Sequence, residues 1–226
     1  MTGSKPAIKW SKYQEALRYC QPVKMEGKIV KVAGIVAQAN GPGMSIGSLC
    51  SIRNGSGQNM QAEVIVFNDK RVIVMPFGEM RGIEPGSRIV DINKRPTIKV
   101  GDAYLSRVVD GLGQPIDGKG AIPTQADYPI YGNVINPLKR QIINQVIDVG
   151  VCSINAMHTL GKGQRIAIMS GSGVGKSVLM GMIARHAAAD VIVIALIGER
   201  GREVREFIER NLGEEGLKKS VVVAAT

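Results

Sequence analysis

Aromatic residues are scarce in this chain, and long apolar runs are missing from it. Phe, Trp and Tyr make up 4% of the composition, so a buried core must be mainly aliphatic. No apolar run reaches the roughly 20 residues that a membrane-spanning helix needs. The N-terminus also lacks the apolar centre of a secretory signal. These absences favour a globular protein over a membrane-spanning or secreted one.

Cysteine is also rare. Cys20, Cys50 and Cys152 are odd in number and lie far apart, which argues against a disulfide framework and against a cysteine-based metal site. This usage is typical of a protein of the reducing cytosol.

Acidic residues are fewer than basic ones. The chain has 29 Lys and Arg against 19 Asp and Glu, a net charge of +10. Such a charge indicates either a nucleic-acid or anionic-membrane partner, or an assembly subunit with basic faces and a phosphate site. Because no basic stripe is interleaved with aromatic residues, the second interpretation is favoured.

Turn signals divide the chain into three parts. Residues 1–23 form an N-terminal arm, in which 8–20 have the period of a short amphipathic helix that either meets a partner or membrane surface or packs on its own domain. Residues 24–98 contain short apolar strands separated by Gly-, Pro- and Asn-rich turns, the first at Lys28–Ala39, which favours a small closed β-barrel. Residues 99–226 are predicted to be a linker followed by an α/β domain.

The linker offers few regular elements. Val108–Gly118 is predicted to form a double turn, in which Asp110 and Asp117 serve turn geometry and are not a catalytic carboxylate pair. Gln141–Asp148 has a helical pattern.

Beyond the linker, strand and helix patterns alternate. Val191–Ile197 and Ser220–Ala225 are apolar runs typical of fully buried parallel strands. Between them, apolar positions from Val204 to Leu212 predict a helix that ends at Gly213.

One Gly-rich stretch contains a recognisable motif. Ser170 to Ser177 reads SGSGVGKS; it follows the apolar run Arg165–Met169, a predicted strand, and precedes Val178–Arg185, a predicted helix. A Gly-rich turn with Lys-Ser between a strand and a helix is the context of a P-loop. Backbone N–H groups of such a turn, together with the helix start, bind phosphate oxygens.

The residue types suggest their roles. Lys176 is expected to reach the β- and γ-phosphates, and Ser177 to place its hydroxyl on Mg²⁺. The predicted phosphate-binding residues are Gly171, Ser172, Gly173, Val174, Gly175, Lys176 and Ser177. The usual pattern begins with Gly, whereas Ser170 stands there, and a left-handed backbone at Ser170 would cost about 1–2 kcal/mol.

A carboxylate follows the next apolar strand. Because ligands bind at the carboxyl ends of parallel strands, Glu199 is expected to face the γ-phosphate held by Lys176 and to orient the attacking water. Arg200, Arg202 and Glu203 would support this site or bind its neighbours. No Asp follows an apolar strand downstream of the P-loop, although such an Asp usually holds the metal's water shell.

Several motifs together resemble a known family. They are Met75-Pro76-Phe77-Gly78, Gly82-Ile83-Glu84-Pro85-Gly86, the run from Arg107 to Gly118, Asp148-Val149-Gly150-Val151, the P-loop, and the run from Ile197 to Val204. With these motifs, the chain from about residue 24 to its end closely resembles the flagellum-specific and type III secretion export ATPases, relatives of the catalytic subunit of rotary ATP synthases.

The resemblance implies a β-barrel followed by a RecA-like ATPase domain, assembled as a ring hexamer that hydrolyses ATP with Mg²⁺. It implies that Lys176 and Ser177 bind phosphate and Mg²⁺, that Glu199 is the catalytic carboxylate, and that Arg200 acts beside it. The family works in the cytoplasm, peripheral to the inner face of the membrane, where contact with anionic lipid is left open. Its implied partners are a stator-like regulator, a central stalk protein and the chaperone complexes of export substrates, which it releases and loads; nucleic acid is not among them.

The family's pattern continues past Thr226, so the resemblance also implies that the chain stops within the ATPase domain. The metal-side Asp, the arginine supplied to a neighbouring subunit and the base-clamping aromatics would belong to the later part. Two alternatives remain open: an RNA-stimulated ring helicase of the transcription-termination type, suggested by the positive charge, and a catalytically inactive fragment. The flagellar branch is favoured over the injectisome branch.

Overall fold

The computed structural model describes residues 10, 26–41, 43–55, 57–68, 71–92, 95–132, 134–171 and 173–226. The chain divides into two compact units, 1–96 and 97–226. Apart from Trp10, the predicted N-terminal helix at 8–20 lies outside the described residues. No helix in the described ranges is long and apolar enough to cross a bilayer.

Six antiparallel strands close into a barrel in the first unit, in the order β1–β2–β5–β4–β3–β6, which confirms the predicted small barrel. The strands are β1 (Glu26–Ala33), β2 (Val36–Asn40), β3 (Leu49–Arg53), β4 (Asn59–Asn68), β5 (Arg71–Pro76) and β6 (Arg88–Asp91). The single strand predicted at Lys28–Ala39 is wrong. Gly34, with a φ of +59°, makes a turn that splits this run into β1 and β2.

Alternate residues along each strand fill the barrel, because successive side chains point to opposite faces of a sheet. Aliphatic side chains such as Ile29, Ile52 and Ile89 are buried inside, and Met44 from the β2–β3 connection joins them. This core contains no aromatic side chain among the described residues, as the composition predicts. Burial raises the pKa of the Cys50 thiol to about 12, so this cysteine stays protonated and inert.

One outward row of the barrel concentrates positive charge. Arg53 lies opposite Arg88, and Arg88 lies opposite Lys28 in the strand register. All three side chains are exposed. Glu26 is within 3.7 Å of the Arg88 guanidinium and offsets part of this charge. The excess of cations is therefore partly a surface feature of the barrel.

The second unit holds the remaining strands and the helices. The strands are β7 (Thr97–Val100), β8 (Arg107–Asp110), β9 (Ala126–Pro129), β10 (Val146–Ile147), β11 (Leu160–Gly161), β12 (Ile192–Ile197) and β13 (Ser220–Ala225). The helices are α1 (Cys152–Met157), α2 (Lys176–His186), α3 (Gly201–Glu206), a π-helix (Phe207–Leu212), α4 (Gly213–Lys218) and 3₁₀ turns at Asp102–Tyr104 and Pro137–Lys139. A parallel sheet has the order β12–β13–β8, and β7–β9 and β10–β11 form two small antiparallel pairs.

Helices cover one face of the parallel sheet. Ile194 and Leu196 of β12 are buried in a core shared with α2, α3 and the π-helix. On the other face Val193 is 70% exposed and Ile197 is 75% exposed. The prediction of a strand here is confirmed, but the prediction that it is fully buried is wrong, because the described residues cover only one face.

Three local predictions are wrong because pairing with distant strands, which the local sequence does not show, decides the structure of these segments. Arg165–Met169 is irregular and exposed, because a strand needs a hydrogen-bonded neighbour and none of the described strands pairs with this run. Gln141–Asp148 is not helical and instead contributes β10. Val108–Asp110, predicted as part of a double turn, belongs to β8 because it pairs with β13.

Candidate phosphate-binding site

The Gly-rich loop leads directly into α2. Gly173 and Gly175 have φ values of +78° and +95°, a conformation that favours glycine, and α2 begins at the next residue, Lys176. Apart from the adjoining residues, no atom of the described part of the chain lies within 4 Å of where a Cβ would stand at Gly171, Gly173 or Gly175, so the loop faces open space. The loop and the helix start therefore present unblocked backbone to an anion. Ser172 lies outside the described residues.

Ser170 does not carry the strain considered above. Among the described residues, Ser106 is the one non-glycine residue with a positive φ. Ser170 thus has an ordinary backbone, and its hydroxyl is within 3.3 Å of the Gly171 carbonyl oxygen. Serine at the first position of this P-loop is tolerated without a left-handed penalty.

Glu199 reaches the same cleft as the P-loop. It follows β12, where Gly198 turns the chain with a φ of +69° and donates its N–H to the Ala225 carbonyl at 2.7 Å. The cleft has a volume of about 550 Å³. Its lining consists of Gly171, Gly173, Gly175, Lys176, Ser177, Val178, Glu199, Arg202, Glu203, Glu206 and Asn211. The structure therefore brings the predicted phosphate ligands and the predicted carboxylate together.

Some charges of the cleft are already paired. Glu203 contacts Arg200 at 3.8 Å, and Glu206 contacts Arg210 at 3.1 Å. Lys176, Glu199 and Arg202 have no hydrogen-bond or ion-pair partner among the side chains that the structure describes. The cleft thus keeps two cations and one carboxylate available for a ligand.

Arg200 does not line the cleft. It precedes α3 with its side chain 74% exposed and turned towards Glu203. Arg202, two residues on, lines the cleft instead. The sequence placed both arginines near the site, but spacing alone does not indicate which of them faces the ligand. Val174, another predicted ligand, is 67% exposed, and only its backbone suits phosphate.

The donor set fits Mg²⁺ held together with phosphate. Ser177 offers a hydroxyl and Glu199 a carboxylate to the same cleft, and both are oxygen donors of the kind that Mg²⁺ prefers. In the described ranges no group of three or more His, Cys, Asp or Glu is arranged to hold a metal by itself. Mg²⁺ commonly binds through few protein ligands, with substrate phosphates and water completing its shell. When bound, the ion would neutralise phosphate charge.

The far end of α2 is also anchored. The Asp148 carbonyl accepts a hydrogen bond from Ala188 N–H at 2.9 Å, just beyond the helix. The Asp148 carboxylate accepts from Gly150 N–H at 2.7 Å and from the Asn155 amide at 2.6 Å, and these bonds hold its pKa below the usual range. Segment 148–151 thus fixes the helix that presents Lys176.

The fold and the cleft define a P-loop nucleotide-binding protein with an N-terminal β-barrel. Residues 29–93 match the model of the ATP synthase alpha/beta family, beta-barrel domain, and residues 150–226 match that of the ATP synthase alpha/beta family, nucleotide-binding domain. The chain belongs to the ATP synthase alpha/beta family.

Two curated relatives are similar to most of this chain. The chain is 46% identical over 217 residues to the flagellum-specific ATP synthase of Pseudomonas aeruginosa, with 94% of this chain and 48% of that protein covered. It is 45% identical over 201 residues to the type 3 secretion system ATPase of Xanthomonas euvesicatoria, covering 88% and 46%. The chain therefore spans about half the length of these curated relatives.

A solved structure shows the same fold. The assembled ATPase EscN of the enteropathogenic E. coli type III secretion system superposes with a TM-score of 0.79 and 40% identity, covering 88% of this chain and 48% of that one. EscN in complex with its central stalk EscO gives a TM-score of 0.76 at the same identity, covering 88% and 49%.

Proposed function

We propose that this chain forms part of an ATP-hydrolysing subunit of a type III protein export apparatus, of the flagellar branch. The observation that carries the proposal is the cleft in which Lys176, Ser177 and Glu199 meet. The similarity to flagellum-specific and type 3 secretion ATPases supports the export setting.

Each residue has a role that its position supports. The N–H groups of the loop glycines, Lys176 and Arg202 bind and neutralise the phosphates, since all of these residues line the cleft and neither cationic side chain has a partner among the described residues. Ser177 holds Mg²⁺. Glu199 accepts a proton from the attacking water and orients it towards the terminal phosphate. Arg200, outside the cleft here, is proposed to act only if its exposed side chain turns inward.

The proposed assembly, partners and cellular location are inferred from the relatives. The EscN structures are of an assembled ATPase and of its complex with a central stalk, so we propose a ring of like subunits around a stalk protein for this chain as well. A stator-like regulator and chaperone complexes of export substrates are proposed as further partners. The work would take place in the cytoplasm at the inner face of the membrane, with or without direct contact to anionic lipid.

Nucleotide binding and turnover test the proposal separately. Lys176→Ala should weaken ATP binding about 10- to 100-fold, because a charge-assisted hydrogen bond to phosphate is lost. Glu199→Gln should leave binding within about threefold of the wild type and lower turnover about 10²- to 10⁴-fold, because a positioned base is removed. Fluorescent-nucleotide titration and phosphate release measure the two quantities.

Two control variants remove charged side chains that lie outside the cleft. Lys162→Ala removes an exposed lysine outside the cleft, and Glu209→Gln removes a carboxylate paired with Arg205 away from it. Both should behave as the wild type. Undiminished turnover in Glu199→Gln would contradict the catalytic role. RNA-stimulated turnover with a steep salt dependence would contradict the export setting.

A further inference from the structure

The two helices that border the cleft approach each other unusually closely. At Gly181 of α2, a Cβ would lie 2.5 Å from the carbonyl oxygen of Asn211 and 2.8 Å from its carbonyl carbon. Real Cβ atoms do not come so near to backbone, so only glycine fits at Gly181 without moving one helix. Asn211 belongs to the π-helix, in which Gly213 N–H bonds back to the Ile208 carbonyl across five residues.

Arg185 links the same two helices one turn farther along α2. Its guanidinium donates a hydrogen bond to the Asn211 carbonyl oxygen. The last carbonyls of a helix lack intrahelical partners, and a cationic donor stabilises them. The stem of Arg185 passes Gly216 of α4, where an added Cβ would lie 3.1 Å from Arg185 Cγ. Gly181, Arg185 and Asn211 form what we call the clasp.

The clasp joins the two arms of the candidate site. One arm is α2, whose first residues are Lys176 and Ser177. The other arm runs from Glu199 through α3 into the π-helix, and Asn211 itself lines the cleft. π-helical turns are rare and occur often at functional sites. Here the turn brings the Asn211 backbone against α2.

We infer that Arg185 is a positioning residue, which through Asn211 fixes the arm bearing Glu199 relative to the arm bearing Lys176. This inference rests on the proposed ATP hydrolysis. Phosphate binding depends mainly on the loop and on Lys176 at the start of α2, with Arg202 of the other arm as a further contact, so it should depend on the clasp much less than water attack does. Water attack needs Glu199 at a fixed distance from the bound phosphate. A displacement of about 1 Å in such a geometry costs about 10²-fold in rate.

The test compares Arg185→Met, which keeps an apolar stem, with Arg185→Lys, which keeps a cationic donor. Arg205→Met is the matched control, because Arg205 pairs with Glu209 on an exposed surface outside the cleft. We expect Arg185→Met to bind ADP within about threefold of the wild type and to lose about 10- to 100-fold in kcat. Arg185→Lys should recover part of the loss, and Arg205→Met should match the wild type.

Hydrogen exchange supplies a readout that does not need turnover. In the wild type, Mg·ADP should slow amide exchange both at 173–180 and at 199–212; in Arg185→Met only the first segment should respond. Equal protection of 199–212 in both proteins, or a parallel loss of affinity and kcat, would overturn the positioning role. So would unchanged exchange at 207–213 in nucleotide-free Arg185→Met. If the wild type shows no protection at 173–180, the proposed function fails and the inference falls with it.

Discussion

Asp117 accepts four hydrogen bonds from three neighbours. Arg107 Nε and Nη2 donate at 2.6 Å and 2.9 Å, and the N–H groups of Val108 and Lys119 donate at 3.1 Å and 3.0 Å. The side chains of Arg107 and Asp117 are only 11% and 7% exposed, so the pair is shielded from water. This pair ties the turn after β8 to the strand itself. Asp117 is therefore a structural residue, whereas Asp110 serves the turn as predicted, accepting from Leu112 and Gln114.

We predict that Asp117→Asn lowers the Tm by several degrees and flattens its acid dependence. The Arg107 hydrogen bonds, followed by those from the Lys119 and Val108 backbone, hold the pKa of Asp117 well below its usual range, against the opposing effect of burial. A carboxyl with a depressed folded pKa stabilises the fold above its unfolded pKa of about 3.9, and this stabilisation is lost as the pH falls below that value. Thermal unfolding between pH 7 and 3 measures the effect.

In Asp117→Asn, the difference in Tm from the wild type should shrink as the pH falls. Glu209→Asn, which breaks the exposed Arg205 pair, should change the Tm little at any pH, because exposed ion pairs contribute little. If the Tm difference between Asp117→Asn and the wild type stays constant across this range, protonation of the Asp117 carboxylate does not cause the acid dependence of the wild type.

At the scale of elements, segment 148–151 holds α2 through a close approach at Gly150 as well as through the hydrogen bonds of Asp148. Gly150 has a φ of +72°, and a Cβ there would collide with His186, at 2.6 Å from its carbonyl carbon and 2.7 Å from its carbonyl oxygen. Gly118 has a nearly equal φ of +71°, but beyond its two neighbours no atom of the described residues lies within 4 Å of its Cβ position. The two glycines therefore separate the cost of the left-handed backbone from the cost of the clash.

We predict that Gly118→Ala destabilises the fold by about 1–2 kcal/mol, the cost of a left-handed alanine. Gly150→Ala should cost about 2 kcal/mol more, because α2 must also move away from segment 148–151. Urea unfolding measures both. The shift of α2 should further weaken nucleotide binding in Gly150→Ala alone. Equal destabilisation of the two variants would mean that α2 moves away from the added methyl group at position 150 without a cost in free energy.

Elements with local signals could be predicted from the sequence, and those that depend on distant partners could not. α2 follows from the P-loop and its apolar period, and Glu199 from its place after an apolar strand. Arg165–Met169 has the composition of a strand but no described partner, whereas Val108 becomes part of a strand only because it lies opposite Val222. Asn211 was missed because only the close approach at Gly181 brings it to the cleft.

At the scale of the whole molecule, the candidate site is open on one side. Lys176 and Ser177 are exposed, and Glu199 is half-buried. Electrostatic stabilisation of a transition state is strongest where water is excluded. A site so open is therefore expected to hydrolyse ATP slowly in an isolated chain. In the proposed ring, a neighbouring subunit would cover it and exclude water.

We therefore predict that ATP turnover per chain rises with protein concentration, because association completes a shared site. The measurement is phosphate release with Mg²⁺ and ATP over a hundredfold range of concentration, with Lys176→Ala as the blank at each point and sedimentation to follow assembly. Turnover per chain that stays constant while above the blank would mean that each chain acts alone, which would contradict the shared site. Turnover no higher than the blank in assembled protein would mean that Lys176 and Glu199 need groups from outside these 226 residues.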